Sequence, residues 1–282
     1  MPRVLQRVGL GGRLMVTRRA VLKMGASIPI AGRVRAQTFL GGGIAPQVAQ
    51  FFNRLQTLPS PANQLLYTNL INGLISDGIW SMLDVLCVAG GDPASSLINL
   101  VQQSYGGQAA DVPFTPYQGF TLNGGTVSYI STQFNGSAGG TNFSQNSAMI
   151  AVGNLVGTQA NQALLRTAAD VSLEIWPEYS NGNALWMVNG ASEAQAANPG
   201  DASGIFIASR TGSTASALYR NGTQLGTTAI ASVSPENGIL NVGYGGTAGW
   251  IASFWAIGAG LNSTQATALY NRINTYLTAI GA

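Results

Sequence analysis

Seven Asn-Gly pairs punctuate this 282-residue chain, beginning at Asn72, Asn123, Asn135, Asn181, Asn189, Asn221 and Asn237; six of them fall after residue 120. Asn-Gly suits the two-residue type I′ turn, whose central residues both need φ > 0 and whose twist matches that of paired strands. The strongest case is Ala217–Leu225, where Asn221-Gly222 sits between two short β-prone runs. From Gly204 to Leu277 the chain reads as strand, hairpin, two further apolar strands (Ile239–Tyr244 and Trp250–Ile257) and a closing helix. Short strands at roughly regular spacing between such turns predict an all-β sandwich or barrel. No fixed-period repeat is present, which argues against a propeller or solenoid.

Helical signals are few. Val48, Phe51, Phe52 and Leu55 recur at helical spacing within Ile44–Leu58, and Pro59 ends the pattern. A second helix is predicted from Ala62 to about Ser76, with Leu65, Leu66, Leu70, Ile71, Leu74 and Ile75 as one broad stripe. Two helices cannot bury their own apolar faces, so they are expected to pack on the β body. Near the end, Asn262 or Ser263 caps a helix whose apolar face is Leu269, Tyr270, Ile273, Tyr276, Leu277 and Ile280, and Gly281 stops it. Between these helices, the nearly continuous apolar run Leu83–Ala89 predicts a strand inside the sandwich or under a helix. Ser96–Gln102 is read as strand in preference to a short helix, Gly119–Leu122 and Thr126–Thr132 as a hairpin around Asn123, and Ala148–Leu155 as strand. Gly157–Ala169 is polar and read as loop; Ser172–Trp176, Ala184–Val188 and Gly204–Ser209 follow as strands.

The formal charge of +3 misrepresents the body of the protein. Eight of the thirteen cations lie before residue 37, and no acid precedes Asp77. Residues 37–282 hold five arginines against ten carboxylates, a net charge of −5, with no lysine and no histidine. The basic leader, residues 1–36, contains Thr17-Arg18-Arg19-Ala20-Val21-Leu22-Lys23, which resembles the twin-arginine export motif. A short apolar run follows, and Val34-Arg35-Ala36 has the small residues of a cleavage site before Gln37. The alternative is a disordered basic tail that binds nucleic acid or a virion scaffold. Met1 and Met15 both remain as the start. No segment approaches the roughly 20 apolar residues a membrane helix needs. The single cysteine, Cys87, sits in an apolar run and is expected to be a buried hydrophobe.

Three segments carry a resemblance to the laminin-G-like, concanavalin A-like domains of bacterial and phage proteins. They are Gly119–Ile130 with its Ser-Tyr-Ile ending, the hairpin Leu218–Gly226, and Phe254–Ser263 leading into Ala268-Leu269-Tyr270. The resemblance covers roughly residues 80–282. It implies a mainly β fold: an antiparallel jelly-roll sandwich with two N-terminal helices and a C-terminal amphipathic helix. It also implies glycan binding on the concave sheet or rim loops in many members. The chain then divides into a leader (1–36), a helical segment packed on the body (37–79) and the sandwich (80–282).

Chemistry is restricted by what the body lacks. Without histidine there is no Ser-His-Asp or Cys-His catalysis and no His-ligated metal; without lysine there is no Schiff base. The body's net negative charge with five scattered arginines makes nucleic acid a poor partner. Laminarinase-type glucanases of the same fold class carry acids at i, i+2 and i+4 on one strand face. Here Glu174 and Glu178 have the outer spacing, but Trp176 stands between them and Pro177 interrupts the strand. The two acids are therefore read as solvated groups at a strand end. Asp111, Asp170 and Asp201 are isolated, which leaves calcium unsupported, and no cofactor is expected. Aromatics near turns remain as ligand-binding candidates, because sugar rings stack on them. Trp176, Tyr179 and Trp186 flank the Asn181 turn, with Asn181 and Asn183 as polar partners, and Trp250 follows a Gly-rich loop. Two functions of different class follow: a non-catalytic carbohydrate-binding protein exported to the periplasm or cell exterior, or a structural or interaction protein of a virion or cell surface. Glycoside hydrolysis ranks behind both.

Overall fold

Alternating apolar residues sort the strands into two antiparallel sheets with an apolar core between them. The computed structural model describes residues 44–124, 128–157, 162–168, 172–179, 181–245 and 247–282. The leader with Arg18 and Arg19, the cleavage position after Ala36, and Asp170 lie outside the described residues. In chain order the strands are β1 (Leu83–Val88), β2 (Gln108–Ala110), β3 (Phe114–Thr115), β4 (Gly119–Gly124), β5 (Tyr129–Asn135), β6 (Ala148–Asn154), β7 (Leu165–Thr167) and β8 (Leu173–Trp176). They continue as β9 (Asn183–Val188), β10 (Ala194–Ala197), β11 (Gly204–Gly212), β12 (Ala215–Arg220), β13 (Thr223–Thr228), β14 (Ile239–Val242) and β15 (Thr247–Gly258). The helices are α1 (Pro46–Arg54), α2 (Pro61–Ser76), the single turn α3 (Pro93–Ser96) and α4 (Ser263–Ile280).

The eight-stranded sheet runs β13-β12-β11-β6-β15-β4-β3, with β1 also paired to β15; the seven-stranded sheet runs β10-β9-β8-β7-β14-β5-β2. Between the sheets lie Val85, Phe120, Trp250 and Trp255 from the larger and Ile130, Phe134, Ile175 and Trp186 from the smaller, all buried. The larger sheet is buried on its other face as well. There Leu86, Val88, Ile207 and Phe254 meet α1, α2 and α4 in a second core that contains no residue of the smaller sheet. The apolar run at Leu83–Ala89 therefore serves both predicted environments at once, with Val85 and Cys87 facing one core and Leu86 and Val88 the other. Phe254 and Trp255 divide the same way: each is core, but in different layers.

Local chemistry explains the well-formed elements. Asn221 and Gly222 both have positive φ, 50° and 76°, closing β12 onto β13 as the Asn-Gly signal requires. The Asn72-Gly73 pair is instead helical, inside α2. A Cβ on Gly73 would come within 2.7 Å of Arg272 Cδ, so glycine here admits the stem of an α4 side chain. The α4 cap is Asn262, whose side chain accepts from the Gln265 N–H while Gln265 reaches back to the Asn262 N–H. Leu65 on α2 is half exposed and does not join the apolar stripe.

Three expected elements differ from the sequence reading. The segments around Asn123 do not form one hairpin: β4 belongs to the larger sheet and β5 to the smaller, so this connection crosses between layers. Gly157–Ala169 contains a strand, β7, that is only three residues long and gains its place by pairing with β8 and β14. Ser96–Gln102 is not a strand. Asn99 does the work of one with its side chain: its Oδ1 accepts from the Leu86 N–H at 3.0 Å and its Nδ2 donates to Asp84 O at 2.9 Å, closing the free edge of β1.

Candidate functional site

Leu173 and Ile175 enter the inter-sheet core, so Glu174 and Trp176 of β8 occupy the opposite face of the smaller sheet. The strand register extends this face into a row. Gln108, Ser131, Asn241, Arg166, Glu174 and Met187 lie side by side on successive strands from β2 to β9. Arg166 and Glu174 are thus opposite charges directly across a strand pair, which favours the pairing. Glu174 is buried, 2% exposed, and this corrects the solvated acid expected from the sequence. Its Oε2 accepts from Trp176 Nε1 at 2.7 Å, a short bond that fixes the indole against the sheet.

Trp176 is half-buried, and the ring of Tyr179 packs against it at 5.5 Å between centroids and 77° between planes. The chain then turns at once. The Tyr179 N–H donates to Asn183 O at 2.7 Å, and the Asn183 N–H donates to Asn181 Oδ1 at 3.0 Å. Both side-chain amides of the turn donate to Gln195 Oε1, from Asn181 Nδ2 at 3.1 Å and Asn183 Nδ2 at 3.5 Å. Four of the predicted residues, Trp176, Tyr179, Asn181 and Asn183, are therefore one cluster of aromatic and amide groups at the β8–β9 turn. Gln195 joins them from β10. Nothing in the local sequence marks it; only the β9–β10 register, which sets Gln195 opposite Leu185, places it there.

The other two predicted residues lie elsewhere. Trp186 is 1% exposed between the sheets, its Nε1 donating to Ser216 Oγ at 3.1 Å across the sandwich. Trp250 is fully buried in the same core. The reason is a bulge in β15. Strict alternation would set Trp250 and Trp255 on opposite faces, but the register with β6 shifts between Ala252 and Phe254, so both indoles point into the inter-sheet core. A Gly-rich loop before a tryptophan does not expose it. Among the described residues, no group of three or more His, Cys, Asp and Glu side chains could hold a metal ion. No helix among them is long and apolar enough to cross a membrane.

No protein-family model matches the chain, and no curated protein sequence matches it. Solved structures do resemble its fold. The binding domain of botulinum neurotoxin serotype D aligns over 69% of this chain and 52% of its own, at a TM-score of 0.50 and 11% identity. Trypanosoma rangeli sialidase, solved with 2,3-difluorosialic acid, aligns over 74% of this chain and 38% of its own, at a TM-score of 0.50 and 11% identity. Domain 4 of AbnA, a GH43 extracellular arabinanase from Geobacillus stearothermophilus solved with arabinotriose, aligns over 67% of this chain and 98% of that domain. Its TM-score is 0.48 and its identity 14%. The chain thus spans about half of the toxin domain and about two fifths of the sialidase. What the toxin and sialidase likenesses establish is the mainly β, two-sheet fold, which many unrelated activities share.

Proposed function

We propose that this chain is a non-catalytic carbohydrate-binding protein built on a jelly-roll sandwich and exported to the periplasm or cell exterior. The observation that carries the reading is Trp176, a half-buried indole locked by Glu174 on the face of the smaller sheet opposite the inter-sheet core, with Tyr179 beside it. A rigid aromatic face costs little entropy to present, and the amides of Asn181, Asn183 and Gln195 stand next to it as hydroxyl partners. Glu174 is held in a structural bond to Trp176, which supports binding over hydrolysis. Two packed antiparallel sheets with long connections between layers support the jelly-roll description. The Arg18-Arg19 motif and the cleavage position after Ala36 support recognition by an export machinery. The net negative charge of the body argues against nucleic acid as a partner.

The test is a glycan array followed by calorimetry with the retained polysaccharide. Trp176→Ala is expected to weaken binding about tenfold and, because it removes the indole's bond to the buried Glu174 carboxylate, to lower the melting temperature as well. An array with no retained glycan, or equal affinity in Trp176→Ala, overturns the reading. A structural or assembly role is favoured by one observation: Leu58 and Leu65, on the helical layer, are 44% and 50% exposed. Light scattering that finds a strict monomer at high concentration counts against that role.

A further inference from the structure

One cleft of the molecule has a volume of about 770 Å³, a size typical of small-ligand sites. It opens where the C-terminal end of α1 meets β2, the edge strand of the smaller sheet. That is four strand spacings, about 19 Å, from Trp176 on β8. Asn53, Arg54, Gln103, Tyr105, Gln108 and Gln133 line it, and among the described residues no Asp or Glu does.

Arg54 stands apart from the other described arginines. Arg272 and Arg220 pair with Asp77 and Asp201. Arg210 is enclosed by backbone carbonyls, and Arg166 lies across from Glu174. Arg54 meets no carboxylate among the described residues. Its Nη2 donates to Asn99 O at 3.0 Å and Leu100 O at 2.7 Å, which ties the guanidinium to the cleft wall, and its Nε is buried without an acceptor. A cation held in a partly desolvated cleft, bonded to no acid and with Asp92 of the adjoining cleft engaged by Ser95, is an anion receptor waiting for its partner.

Backbone strain marks the same place. Among the described residues six non-glycines have positive φ, and three of these are Asn or Asp, which tolerate it. Of the remaining three, Tyr105 at 62° and Gln133 at 58° both line this cleft. Neither conformation is accidental. Thr132 Oγ1 donates to Leu240 O at 2.7 Å and accepts from the Phe134 N–H at 3.2 Å, holding the β5 bulge that projects Gln133. The Tyr105 hydroxyl donates to Gly139 O at 3.0 Å, fixing its ring. Strain retained at two side chains of one cavity points to a use for those side chains.

We propose that this cleft is a second ligand site that takes a sugar acid, a pyranose bearing a ring carboxylate. Arg54 receives the carboxylate, the amides of Gln103, Gln108 and Gln133 receive hydroxyls, and the Tyr105 ring lies along the apolar face. The site goes beyond the Trp176 surface and does not depend on it.

Calorimetry with trigalacturonate, its methyl ester and N-acetylneuraminic acid tests the assignment and separates the two sources of sugar acid. At least one free acid is expected to bind, with affinity falling as salt is raised, and the ester to bind at least tenfold more weakly. Arg54→Met is expected to weaken the acid at least tenfold, and Trp176→Ala to leave it unchanged. Because Arg54→Met also releases the Asn99 and Leu100 carbonyls, Gln133→Gly gives a second arm. Glycine accepts φ near 58° freely, so this variant should melt higher than wild type and yet bind the acid severalfold more weakly. No binding by either acid, equal binding of the ester, or unchanged acid affinity in Gln133→Gly overturns the proposal. Loss of neutral glycans from the Trp176 surface alone would sink the earlier reading and leave this one standing.

Discussion

Buried polar side chains, more than the exposed ones, show how single residues organise this protein. Arg210 is 1% exposed and pairs with no carboxylate among the described residues; its guanidinium donates to Val188, Gly212, Ser213 and Ile230 carbonyls at 2.6 to 3.2 Å. It ties the β11–β12 turn to β9. Arg210→Met keeps the stem but strands those acceptors, and an unfolding titration should show a loss of about 3 kcal/mol. Asp77 illustrates charge at the surface. Its carboxyl is held below the usual carboxylate range, first by the hydrogen bond from Arg272 and then by that residue's charge, with desolvation opposing. Since the folded value is the lower one, the contribution is complete above the ordinary carboxylate range and is lost as pH falls through the depressed value. Urea midpoints of wild type and Asp77→Asn should therefore differ at neutral pH and converge as pH falls through the depressed value, with only a small gap because the pair is partly solvated. At this scale the sequence identifies the cluster at Trp176, Tyr179, Asn181 and Asn183, since a turn keeps its own residues together. It cannot place Trp186, Trp250 or Glu174, because the face a strand residue takes depends on distant register and on one bulge in β15.

Elements with a complete local signal match their sequence reading: the β12–β13 hairpin with its two positive-φ residues, and α4 with its capping box and left-handed Gly281. Elements defined by a partner do not. β7 is three residues of a polar stretch and is a strand only because β8 and β14 flank it. The segment after α3 reads as a strand by composition, yet it satisfies the edge of β1 largely through side chains, Asn99 and Gln102, with one backbone bond from the Leu100 N–H to Leu86 O. Asn99 is 1% exposed and bonds the Leu86 N–H, the Val101 N–H, Asp84 O and Ser104 O. Asn99→Ala should cost about 3 kcal/mol, several times the effect of an average surface change, and amide exchange should rise first at Leu86. Gly73 teaches the same lesson in a helix: only the neighbouring α4 explains a residue that weakens α2 by itself.

At the scale of the whole molecule, the larger sheet is the middle layer of three, shared between the inter-sheet core and the helix-covered core. The helices are therefore structural, and the sequence foresees this from their inability to bury their own faces. A chain lacking residues 44–79 would uncover Leu83, Leu86, Val88 and Phe254 on a continuous apolar face. It should bind a hydrophobic dye and elute as aggregate, whereas Cys87, buried and alone, makes the intact protein indifferent to reductant. β15 carries a further consequence. It holds β6 on one edge and both β4 and β1 on the other, so the centre of the larger sheet is made well after the three strands it joins. At about 5–20 residues per second, a ribosome would hold β1, β4 and β6 without their common partner for roughly five seconds or more. The larger sheet therefore cannot close until β15 is made, and it then closes in one slow, non-local step.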